Sequence, residues 1–122
     1  MRAYLPTEAE EQAILVEWLR ARKIPFIVSV SGAILGGNKW GQIAKLKKMG
    51  WEPGAPDIIL MRQAVARYGH KPVAIEMKRS KGGKCSPAQL ALHATMREEG
   101  WIVIVAHGAQ GAIDALKTCG IG

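Results

Sequence analysis

Val73-Ala74-Ile75-Glu76-Met77-Lys78 closes an apolar run with two charges, and Gly54-Ala55-Pro56-Asp57 opens an earlier run, Ile58-Ile59-Leu60-Met61. In an extended strand successive side chains alternate faces. Glu76 and Lys78 therefore project together, while Val73, Ile75 and Met77 project to the other side. If neighbouring strands bring Asp57 beside Glu76, two carboxylates form a hard oxygen site suited to Mg²⁺ or Mn²⁺, and a lysine next to them can position or activate a water. Such a set suits phosphodiester hydrolysis. Each residue also has a plainer reading. Asp57 after Pro56 fits a turn or strand start, and Glu76 and Lys78 fit an ion pair at a sheet edge.

Outward from these stretches, Thr7 three positions before Glu10 fits a capping box, which starts a helix running to about Arg22 with the apolar stripe Ile14, Leu15, Trp18 and Leu19. Pro25 ends that element, and Phe26 to Val30 read as a strand followed by the glycine-rich loop Ser31 to Gly41. Gln42 to Met49 form a short lysine-rich helix. Ile58 to Met61 and Val73 to Met77 make a hairpin across a polar stretch containing Arg67, Gly69, His70 and Pro72. Ser86 with Pro87 begins a helix that Gly100 ends, Trp101 to Ala106 has the continuous apolar character of a buried strand, and Ala109 to Thr118 form a last helix. The core order α-β-β-β-α-β-α implies an α/β fold with a mixed central sheet flanked by helices.

The 122 residues, 48% of them hydrophobic, suit one domain spanning 1–122 with a modest core. The net charge of +7 points to an anionic partner, and 11 of the 17 Lys and Arg residues fall between Lys39 and Lys84, around Asp57 and Glu76. Cys85 and Cys119 are too few for a disulfide framework and lack zinc spacing, so a reduced, cytoplasmic protein is expected. No apolar run is long enough to cross a bilayer, and neither a membrane partner nor a small-molecule cofactor is expected. His70, His93 and His107 lack metal spacing. His93 shares a helix face with Gln89 and reads as a structural or solvent-facing residue ahead of an outer-shell one.

The order of the motifs resembles the PD-(D/E)XK nuclease superfamily and, within it, a stand-alone VRR-NUC (virus-type replication-repair nuclease) domain. The matching parts are Glu8 to Gln12, Ser31-Gly32, Gly54-Ala55-Pro56-Asp57, Glu76-Met77-Lys78, Lys81-Gly82-Gly83-Lys84 and Ser86-Pro87-Ala88-Gln89. The resemblance covers essentially the whole chain and implies a restriction-endonuclease-like core. It implies Mg²⁺ or Mn²⁺ held by Asp57, Glu76 and the backbone carbonyl of Met77, with Lys78 orienting the attacking water and Gln89 near the metal. An acid of the first helix joins through water. Glu11 leads into the apolar stripe, whereas Glu8 with Gln12 reproduces the family's E-x-x-x-Q wording, and the choice stays open. Ser31, Lys39, Lys45, Lys48, Arg79, Lys81 and Lys84 are the expected DNA contacts. Stand-alone members look like homodimeric Holliday junction resolvases acting on branched DNA in a bacterial or phage-infected cell. A flap or general structure-selective endonuclease, and a non-catalytic basic DNA-binding module, are the alternatives.

Overall fold

The computed structural model describes residues 4–29, 39–66 and 69–122. Helix α1 (Glu8–Ala21) opens on the expected capping box, in which the Thr7 hydroxyl accepts from the Glu10 N–H and the Glu10 carboxylate accepts from the Thr7 N–H, each at 3.2 Å. It stops before Pro25 because Lys23 takes a left-handed conformation, φ 57°. Strand β1 (Phe26–Val28) and helix α2 (Lys39–Lys48) follow. Strands β2 (Ile58–Ala66) and β3 (Gly69–Lys78) form the hairpin, α3 (Pro87–Glu98) crosses to β4 (Ile102–His107), and α4 (Gly108–Thr118) completes the order.

The sheet runs β1-β2-β3-β4, antiparallel at the first two junctions and parallel between β3 and β4. This is the expected mixed sheet flanked by helices. Its registers stack Ile58 beside Ile75 and Ile104, and Leu60 beside Val73 and Ile102. Leu15 and Leu19 of α1, with Ala112, Ile113 and Leu116 of α4, join these strands in one core cluster. Burying such a set supplies about 1.5–3 kcal/mol per large side chain. Helix α3 lies over the opposite face, where His93 meets Glu76.

The hairpin is longer than its apolar runs. Ladder pairing continues through Ala64–Lys71, Val65–His70 and Ala66–Gly69 after a register shift between Leu60 and Ala64. Backbone pairing needs no apolar side chains once two strands are aligned, so the polar stretch extends the ladder into solvent. Val30 and Ser31 lie outside the described residues.

Candidate active site

Asp57 and Glu76 come together because β2 and β3 pair antiparallel. Asp57 stands one step beyond the Ile58–Ile75 pair, opposite Glu76. The backbone fixes Asp57 from two sides. Its Oδ2 accepts from the Met77 N–H at 2.7 Å, and its carbonyl accepts from the Ser29 N–H at 2.9 Å. The Ser29 hydroxyl also donates to the Pro56 carbonyl at 2.7 Å, tying the turn to the end of β1. Gly54 is required here for space as well as conformation. Its φ is +89°, and a Cβ would lie 2.7 Å from Ala88 C and O and from the Gln89 nitrogen. The Asp57 loop thus sits directly on the first turn of α3.

Glu76 and Lys78 are both buried, 2% and 6% exposed, which removes the reading of a wet edge ion pair. Lys78 Nζ lies 3.9 Å from Glu76 Oε2 and from Glu8 Oε1, but donates to Gln89 Oε1 at 2.9 Å. Gln89 also completes the capping box of α3, its Oε1 accepting from the Ser86 N–H at 2.8 Å while the Ser86 hydroxyl accepts from the Gln89 N–H at 3.2 Å. One side chain therefore both caps a helix and anchors the lysine. The glycine-rich loop packs on the lysine stem, since a Cβ on Gly83 would meet Lys78 Cβ at 3.0 Å.

These side chains line a cleft of about 480 Å³ whose walls include Glu8, Gln12, Asp57, Glu76, Lys78 and Gln89. Of the two candidate acids on α1, Glu8 faces this cleft. Glu11 does not. It is buried against α4, where its Oε1 accepts from the Ala109 N–H at 3.1 Å and its Oε2 lies 3.1 Å from where a Cβ on Gly108 would stand. Helix α4 has no side-chain cap from its own N-cap residue His107, so Glu11 supplies the missing acceptor and a negative charge at the helix N-terminus. Among the expected DNA contacts, Lys45, Lys48, Arg79, Lys81 and Lys84 are exposed. Ser31 is outside the described residues, and Lys39 is described only as the first residue of α2.

Burial, and next the Asp57 carboxyl as hydrogen-bond partner and like charge, push Glu76 up to about 9, with Lys78 opposing the shift. The fully buried His93, 3.5 Å from Glu76 Oε1 through Nε2, is held below the ordinary histidine value by burial first and then by the positive charges of Arg97 and Lys78. Glu76 Oε1 and both His93 ring nitrogens lack hydrogen-bond partners among the described residues. The sequence shows His93 on the Gln89 face of its helix but not what it packs against. The i, i+4 step from Gln89 was the signal that could have found it.

A divalent cation fits this donor set. Two adjacent carboxylates, one with an orphaned oxygen and a strong preference for its proton, are the arrangement that a hard cation relieves. Among the described residues no group of three or more His, Cys, Asp or Glu could hold a metal ion. Asp57 and Glu76 would therefore need backbone and water oxygens to complete the coordination.

A family model for the VRR-NUC domain matches residues 6–110. The chain belongs to the VRR-NUC family of nucleases. A solved structure described as a VRR_NUC domain protein superposes with a TM-score of 0.72 at 23% identity, covering 93% of this chain and 88% of the other, and it shares the fold. No curated protein matches the chain.

Proposed function

We propose that this nuclease is a Mg²⁺- or Mn²⁺-dependent endodeoxyribonuclease that hydrolyses phosphodiester bonds in branched DNA, with four-way junctions as substrate and a homodimer as the working form. The observation that carries the catalytic part is buried Glu76 paired with half-buried Asp57, with buried Lys78 beside them on the cleft wall. Asp57, Glu76 and the Met77 carbonyl would hold the cation, with Glu8 joining through water. When bound, the cation polarises the scissile phosphate and lowers the pKa of the attacking water. Gln89 keeps Lys78 aimed into the cleft, and Lys78 orients the water and offsets negative charge as it develops on the phosphate. Exposed Lys81, Lys84 and Arg79, next to the end of β3, supply phosphate contacts that are independent of base sequence and weaken with salt. Resemblance to stand-alone members supports the junction substrate and the dimer, since a two-fold axis would set two sites on symmetric strands. The chain belongs on DNA in the cytoplasm of a bacterial or phage-infected cell.

The test is cleavage of labelled four-way junction, flap and linear duplex DNA in Mg²⁺, Mn²⁺ or EDTA, with Glu76→Ala and Lys78→Ala alongside. Paired symmetric cuts in the junction, lost in EDTA and in both variants, are expected. Cutting of flaps in preference to junctions would redirect the substrate assignment. Binding without cutting in every metal would leave a basic DNA-binding module.

A further inference from the structure

Helix α3 turns one polar side chain fully inward. His93 is 0% exposed, its Nε2 is 3.5 Å from Glu76 Oε1, and neither ring nitrogen has a hydrogen-bond partner among the described residues. Leucine or methionine at this position would fill the space without the desolvation cost of an unpaired buried imidazole. The ring therefore needs a partner in some state of the protein. Glu76 is placed to be that partner. Its two oxygens face different neighbours, Oε2 towards Lys78 and Oε1 towards His93. Once ionised, the carboxylate is a strong acceptor, and an N–H···O⁻ contact closes to about 2.7–2.9 Å.

We propose that His93 is a positioning residue of the cation site, donating its Nε2–H to Glu76 Oε1 and so fixing the orientation in which the Glu76 carboxylate meets the metal. The proposal rests on the reading of Asp57 and Glu76 as metal-holding residues. It assigns His93 no contact with the metal or the substrate. Its action is through Glu76, as hydrogen-bonded neighbours of ligands act in metal sites, where their removal costs about 10- to 100-fold in metal affinity.

The test is Mn²⁺ titration calorimetry on the full chain without DNA, for wild type, Glu76→Ala, His93→Leu and His93→Gln. Wild type is expected to bind and Glu76→Ala to lose binding. His93→Leu should bind about 10- to 100-fold more weakly, and His93→Gln, which keeps an N–H, should recover most of the loss. Wild-type affinity in His93→Leu, or a His93→Gln variant as weak as His93→Leu, overturns the role of His93 alone. Failure of wild type to bind, or undiminished binding by Glu76→Ala, overturns the metal-site reading and this proposal with it. A second measurement needs no variant. In ¹⁵N-edited NMR of the wild-type imidazoles, saturation with Mg²⁺ should move a protected His93 Nε2–H proton downfield, and an unmoved signal in a Mg²⁺-saturated protein overturns the proposal.

Discussion

Replacing Glu76 by glutamine should stabilise the metal-free protein while destroying the cation site. The carboxyl of Glu76, ordinarily at 4.5, is pushed up to about 9 by burial and by Asp57, so the folded chain retains a proton that the unfolded chain releases. An acid raised in this sense leaves stability whole below its unfolded value and removes it progressively as pH climbs towards the folded value. The window therefore runs from 4.5 to about 9, with a slope of up to about 1.4 kcal/mol per pH unit. At about pH 7.5 the accumulated loss reaches about 4 kcal/mol. Water entering the cleft and movement of Asp57 reduce it, so Glu76→Gln should gain about 2–4 kcal/mol at that pH, equivalent to about 8–15 °C in Tm for a chain of this size. The assay is thermal unfolding in EDTA from about pH 5 to pH 9, where the two proteins should start within about 1 kcal/mol of each other and diverge steadily. Parallel stability curves across that range would refute the reasoning, because they would mean that Glu76 ionises in the fold as it does in the unfolded chain.

Three further outcomes are expected. Glu11→Ala should cost about 1–3 kcal/mol in denaturant unfolding by leaving the buried Ala109 N–H unpaired, yet leave Mn²⁺ affinity in calorimetry unchanged; the reverse pattern would place Glu11 in the cleft. Gly54→Ala should lose more than about 1 kcal/mol, because the added Cβ would lie 2.7 Å from the backbone of Ala88 and Gln89 at a φ of +89°, and cleavage should fall with it as the first turn of α3 is displaced. Gln89→Ala should lose about 1 kcal/mol from the opened cap and slow cleavage at saturating metal while KM for DNA stays near wild type, since Lys78 loses its 2.9 Å acceptor without leaving the strand. A Gln89→Ala enzyme with normal kcat would limit Gln89 to its cap.

The parts of the fold readable in sequence are those written in local chemistry. Thr7 with Glu10 and Ser86 with Gln89 announce their helix starts within four residues, and both capping boxes form. The apolar runs around Ile58 and Ile75 mark the two strands, while their continuation to Ala66 and Gly69 depends on ladder geometry that side-chain polarity does not encode. The alternation in Val73 to Lys78 separates the core face from the face carrying Glu76 and Lys78. The choice between Glu8 and Glu11 was beyond any local pattern, because the group that takes Glu11, the Ala109 N–H, lies 98 residues away. His93 escaped for the same reason. Its spacing from Gln89 was visible, but its enclosure against Glu76 exists only after α3 has folded over the sheet.

The link between Glu11 and the start of α4 also bears on how the cleft is held together. The contact between Glu11 and the Ala109 N–H joins α1 to α4, the first and last of the described helices, across 98 residues. A contact of such long range forms late, because the entropy of closing the loop must be met before the contact stabilises anything. The contact adds to the packing of Leu15 and Leu19 against the strands in holding α1 where Glu8 lies 3.9 Å from Lys78. Asp57, Glu76 and Lys78 are set by the β2–β3 hairpin, whereas Glu8 is set by a helix that shares this long-range tie. The cleft wall that carries Glu8 is thus coupled to the start of α4, so loosening α4 is expected to loosen Glu8 before Asp57 or Glu76.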